Sequence, residues 1–284
     1  MEFWLTQAFN GISYGAMLFL LGSGLSLVFG VMRIVNLAHG SYFLLGGYVG
    51  LTTVSRTKSF PLALLSGALS VALIGLGMER LFLRRLSRQS LPQVLMTMGF
   101  ALVFQDLGLL VWGGDPYTLA VPAFLAQSVQ AGPVFVQFYR LFIIAVAFAV
   151  GIVLWVFLER TRAGASIRAT VDDAEMAQGV GINVPLVSAG VFALGAFLAA
   201  LGGVVGAGFI GVYPGLDFEV LPYAFVVVIV GGLGSLPGVV VGSLLVGLLD
   251  NFGKALFPEL SYFTLFAPMA LILALKPTGL FGKR

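Results

Sequence analysis

The residues able to do chemistry are few, and they cluster. Asn36, His39 and Ser41 follow one another in NLAHGS, and Tyr213, Asp217 and Glu219 share VYPGLDFEVLP. A third group, Glu159, Arg160, Arg162, Arg168, Asp172, Asp173 and Glu175, fills the polar island ERTRAGASIRATVDDAEMAQGVGIN. None of these makes a nucleophile–base–orienter set or a carboxylate dyad at catalytic spacing. Zero Cys and one His leave no thiolate or histidine metal cluster and no disulfide. A phosphate-binding loop needs a Gly-rich turn ending in Lys-Ser/Thr. The nearest approach, Gly247 to Ala255, has Lys254 followed by Ala, and GGLGSLPG lacks Lys and reads as a tight turn. The expectation is a chain that is not an enzyme, holds no cofactor and takes its energy from a partner.

The elements that must position these groups are membrane-length. With 59% hydrophobic and 10% charged residues, the composition is that of an all-α polytopic transmembrane bundle. A formal charge of +3 gives no footprint for nucleic acid. The N-terminus, MEFWLTQAFN, has no Lys or Arg before the first apolar run, so that span is expected to be retained rather than cleaved. Nine apolar stretches follow: Ala8 to Gly30, Leu37 to Val54, Pro61 to Leu81, Val94 to Trp112, Arg140 to Leu158, Pro185 to Phe209, Leu221 to Leu233, Gly238 to Leu249 and Tyr262 to Leu275. Eight full crossings and one broken piece fit nearly as well as nine. Residues 1–284 are read as a single transmembrane domain, interrupted by a loop at about 159–183.

Lys and Arg set the orientation. An outside N-terminus and a cytoplasmic C-terminus place Arg33, Arg80, Arg84, Arg85, Arg88, Arg160, Arg162, Arg168, Lys276, Lys283 and Arg284 in the cytoplasm. Only Arg56, Lys58, Arg140 and Lys254 then lie outside, so the island is expected to be cytoplasmic. Four stretches precede the Arg140 to Leu158 span and four follow the island, with opposite starting sides, the parity of an inverted repeat. Gly11-xxx-Gly15, Gly46-xxx-Gly50, Gly202-xxx-Gly206 and Gly238-xxx-Gly242 predict close helix contacts.

Each polar group carries two readings. In the island, Thr170 to Asp173 reads as a capping box, Gly179 and Gly181 as stops, and Asp172 to Gln178 as a short docking helix with Ala174 and Ala177 on one face. The alternative is a solvated connection. Asn36, His39 and Ser41 either line a gate at the start of a half-helix or cap that helix, and capping is preferred over direct solute contact. The parity puts Tyr213, Asp217 and Glu219 at the opposite mouth, where they meet a docked protein or are solvated loop charges. Asp106, within the fourth span, is either a functional-site residue by its depth or the partner of Arg140 in a structural ion pair, and the ion pair is preferred.

VFGVMRIVNLAHGSYFLLGGY, MERLFLRRLSRQ, RTRAGASIRATVDDAEMAQGVGINV and FVVVIVGGLGSLPGVVVGSLLVGLL together resemble branched-chain amino acid ABC importer permeases, in the family's order and over nearly the whole chain. Arg85 and Asp106 depart from that pattern, where Pro and a neutral amide are usual. The resemblance implies a bacterial inner-membrane permease moving branched-chain or related amino acids. Its partners would be cytosolic ATP-binding subunits, an external solute-binding protein and a second permease subunit, identical or a sister. The coupling loop would include Arg168, Asp172, Asp173, Ala174, Glu175, Ala177 and Gly181. Urea or short amides are an alternative cargo. A self-sufficient secondary transporter or channel, and an intramembrane enzyme, are alternatives of other classes.

Overall fold

The computed structural model describes residues 2–87, 89–131 and 134–282, so Arg88, Lys283 and Arg284 of the charge pattern lie outside the described residues. The chain is an all-α helical bundle. Its helices are α1 (Glu2–Met32), α2 (His39–Thr57), α3 (Phe60–Leu81), α4 (Ser90–Trp112), α5 (Phe138–Arg160), α6 (Arg162–Asp172), α7 (Ala174–Gly179), α8 (Val184–Ala207), α9 (Leu216–Gly231), α10 (Leu236–Leu256) and α11 (Ser261–Leu275). Strands β1 (Ser128–Ala131) and β2 (Val134–Gln137) form an antiparallel hairpin before α5. Among the described residues six helices are long and apolar enough to cross a membrane: α1, α3 with its 3-10 extension to Leu86, α4, α5, α8 and α10. Each of the nine apolar stretches corresponds to a helix, and the polar island folds into α6 and α7.

Three long helices start by the same local device. Ser59-Phe-Pro61, Asn183-Val-Pro185 and Ser235-Leu-Pro237 each place a capping oxygen two residues before a proline. The cap accepts from the amide of Leu62, Leu186 or Gly238, and the proline occupies a first-turn position whose N–H needs no partner.

Helix α8 is the hub, packed against α1, α2 and α3, while α1 also lies along α10. The contacts are backbone to backbone. Gly24 faces Gly195, Gly46 faces Ala200, Gly15 and Gly11 face Ser243 and Gly247, and Gly242 faces the end of α9. All four Gly-xxx-Gly pairs lie at helix contacts, with Gly50, Gly202 and Gly206 set mainly against side chains of Val204, Leu20 and Phe43. The tightest is Gly203, where any Cβ would run into the carbonyl oxygen of Phe43.

Two connections enter the bundle without helical structure. Helix α1 ends in a left-handed Arg33 (φ 54°), whose amide reaches the Phe29 carbonyl at 2.8 Å. Residues 33–38 then climb back beside α1, so that α2 begins next to Leu21 and Gly24. That level is ~16 Å from the end of α1 at ~1.5 Å per residue. Similarly, residues 208–215 follow α8, pair Val212 with Tyr117, and turn at Gly215 (φ 96°) into α9. These are half-helices starting inside the fold.

Gly203→Val should therefore cost roughly 1–3 kcal/mol or more through overpacking, read as a lower melting temperature in detergent. Gly77→Ala, with open space around it, should leave that temperature unchanged.

Candidate translocation path and coupling loop

The Asn36 group is a buried helix start. The Asn36 Oδ1 accepts the Ala38 amide at 3.1 Å, and the His39 amide returns to the Asn36 carbonyl. His39 donates through Nε2 to the Leu21 carbonyl at 2.9 Å, which assigns the ring proton to that nitrogen. The Leu37 amide donates to the Thr97 hydroxyl of α4. Asn36, His39 and Ser41 are all almost fully buried. Backbone polar groups freed by a helix break inside a bundle need such partners.

The expectation that this group and the Tyr213 group occupy opposite sides is corrected by the structure. Ser41 Oγ donates to Asp217 Oδ2 at 2.8 Å, and the Gly40 backbone rests on the Asp217 carbonyl. Both connections dip into the bundle, so the starts of α2 and α9 meet at one level near Ala101, the midpoint of α4. Asp217 is 2% exposed. The ion pairs among the described residues, Arg168–Glu159 at 3.7 Å and Lys254–Asp250 at 2.8 Å, leave it out. Tyr213 and Glu219 pair with each other on the exposed side of the same helix start, at 2.7 Å.

A neighbouring polar cluster was missed by sequence reasoning. Asp250 of α10 is buried, accepts from Tyr223 Oη at 3.0 Å, and holds Lys254, whose ammonium lies over the rings of Tyr14 and Tyr223. The i,i+4 spacing of Asp250 and Lys254 was the available signal. It was lost because the apolar stretch was ended at Leu249.

Asp106 does not pair with Arg140. Arg140 donates to Ser13 Oγ and Gln137 Oε1 and covers the Phe209 ring at 4.6 Å, which already occupies its guanidinium. Asp106 is exposed on α4 beside exposed Leu102, Val103 and Leu110.

The island also departs from expectation in detail. Thr170 is inside α6, its hydroxyl bonded back to the Ser166 carbonyl at 2.8 Å, so it caps nothing. Asp173 is the cap instead: its Oδ1 accepts the amides of Glu175 at 3.0 Å and Met176 at 2.9 Å. Helix α7 ends at Gly179, and Gly181 (φ 92°) lets the Ile182 amide return to the Ala177 carbonyl. Ala174 and Ala177 do not share an open face. Ala177 is buried against the protein and Ala174 is exposed with Asp172, Asp173 and Glu175. The apolar groups turned outward are Met176, 65% exposed, and Val180, 71% exposed. Arg168, on α6, meets Glu159 in a half-exposed pair.

A bundle of membrane-length helices enclosing two half-helix starts, with a short capped helix at one end, is the architecture of a transporter's membrane subunit. The description "branched-chain amino acid transport system / permease component" matches residues 7–275, and the chain belongs to that family. It is 28% identical to the high-affinity branched-chain amino acid transport system permease protein BraD of Pseudomonas aeruginosa, over 99% of this chain and 96% of the relative. It is equally 28% identical, with the same coverage, to the permease protein LivH of Escherichia coli K12. The ribose import permease protein RbsC of Haemophilus influenzae is 29% identical over 84% of this chain and 74% of the relative. No solved structure matches it.

Removing the cap with Asp173→Ala should cost α7 about 1 kcal/mol. Hydrogen exchange at the amides of Glu175 and Met176 should then quicken several-fold, with exchange in α8 unchanged.

Proposed function

We propose that this chain is the membrane-spanning permease subunit of an ABC importer for branched-chain amino acids, in the inner membrane of a bacterial cell. The observation that carries this reading is the family match over residues 7–275 together with a capped, Gly-terminated helix carrying Met176 and Val180 outward at one end of the bundle. The Lys and Arg bias places that end in the cytoplasm. A six-residue helix is marginal in water and gains its stability by packing. Exposed Met176 and Val180 therefore suit the surface of a cytosolic ATP-binding subunit. Arg168, Asp172, Asp173 and Glu175 form the polar rim of that contact. Asn36, His39, Ser41, Tyr213, Asp217 and Glu219 belong to the solute path, and a second permease subunit and an external solute-binding protein complete the importer. Affinity for the solute then resides chiefly in the binding protein, and the permease needs only a weak, closable passage.

Met176→Asp with Val180→Asp should abolish solute-stimulated ATP hydrolysis and co-purification of the ATPase, with membrane insertion unaffected. Unchanged coupling in that pair would remove α7 as the docking element. In liposomes, the chain alone should neither hydrolyse ATP nor take up leucine. Leucine uptake driven there by a proton or sodium gradient would establish a secondary carrier instead.

A further inference from the structure

We propose that the N-terminus of α2 is a carboxylate site, filled in this conformation by Asp217 and taken over by the carboxylate of a zwitterionic α-amino acid when Asp217 leaves. The ligand class rests on the amino-acid permease reading; the site rests on local geometry.

Helix α2 starts at mid-level in the bundle with no side-chain cap on Ala38. No acceptor among the described residues takes the amides of Gly40 and Ser41. A helix N-terminus with free amides attracts an anion. The group that answers here is the Asp217 carboxylate, whose Oδ2 accepts from Ser41 Oγ at 2.8 Å. The carboxylate lies between the starts of α2 and α9, and no ion pair among the described residues reaches it. Its Oδ1 is buried and has no hydrogen-bond partner among the described residues. The match is therefore incomplete on both sides: one carboxylate oxygen lacks a donor and two amides lack an acceptor.

Asp217 is tethered through α9 and reaches Ser41 with one oxygen. A carboxylate on a free molecule is not tethered and can present both oxygens to Ser41 Oγ and the amides. Gly40 lets the two helix starts come this close, since a Cβ there would run into the Asp217 carbonyl. Gly211 and Gly215, both at positive φ, bracket the segment that would swing α9. Exchanging one carboxylate for another leaves the charge at the α2 start unchanged. The displaced Asp217 then faces the ammonium of the same zwitterion, which accounts for a cargo bearing both groups.

The chain has no native Cys, so the test uses Ser41→Cys with and without Asp217→Asn in the assembled importer hydrolysing ATP. Thiosulfonate reagents carrying a sulfonate or a trimethylammonium group are compared. With Asp217 present, the sulfonate reagent should be disfavoured. With Asp217→Asn, the sulfonate-to-ammonium rate ratio should rise by roughly tenfold or more, and L-leucine but not leucinamide should slow the reaction. An unchanged ratio overturns the site. Equal protection by leucinamide, or no protection by any α-amino acid, overturns its use by cargo. Leucine uptake by the unmodified importer is measured separately, so loss of the transport reading is distinguishable from loss of the site. If the double variant does not insert, Leu221→Cys, beside Gly40, carries the probe with Asp217 intact. Shielding by leucine and not by leucinamide supports the proposal there, and equal or absent shielding overturns it.

Discussion

Backbone contact between helices at glycine is the constraint on which the rest of this structure depends. In a bilayer the lipid tails are as apolar as the side chains, so helices gain little from mutual burial and must gain from close packing. Helix α8 meets α1 through Gly195 and Gly24 and meets α2 through Gly203 and Ala200, with no room for a methyl group at several of these points. Because the helix axes come so near, the non-helical segments 33–38 and 208–215 can bury Ile34, Asn36, Ala38, Gly211 and Val212 against the bundle. Irregular backbone at this depth is tolerable only there or against a water-filled cavity.

The two breaks then impose their own chemistry. Each helix start leaves amides without intrahelical partners, and those at α2 and α9 converge. Asn36 and Thr97 satisfy amides on the approach to α2, whereas Asp217 supplies the negative charge at the meeting point. Helix ends of like polarity repel unless an anion lies between them, which explains a buried carboxylate that no Lys or Arg among the described residues contacts. Asp250 illustrates the opposite solution, a buried carboxylate held by Lys254 and a tyrosine hydroxyl.

Much of this was legible in the residues. The nine apolar stretches correspond to helices because continuous apolar length is a local property, and the Gly-xxx-Gly spacings fell in real seams for the same reason. Boundaries failed where charge misled. Helix α10 continues to Leu256 because Asp250 and Lys254 neutralise one another one turn apart. In the island, both Thr170 and Asp173 satisfied local capping rules, and the break between α6 and α7 selected Asp173. The Asp106–Arg140 pairing failed because Ser13 and Phe209, far away in sequence, engage the arginine. The meeting of Ser41 with Asp217 was not readable at all. Chain parity orders the connections by side, but how deep a connection dips is decided by tertiary packing.

The same helix that organises the core also receives the polar island. Helices α6 and α7 contact α8, and the chain passes from α7 into α8 through only Val180 to Asn183. Ala177 anchors α7 against the protein while Met176 and Val180 point away from it. On the docking reading proposed above, a displacement of α7 would be delivered to α8, whose glycine seams leave little room to absorb it by side-chain rearrangement. On that reading the strain would pass to the non-helical 33–38 segment beside α2 and to the segment between Gly208 and Gly215 that continues from α8 itself. A close-packed seam transmits motion and an unwound segment absorbs it. Placing both on one helix links the island to the point where the two half-helices meet, without any chain of polar contacts between them.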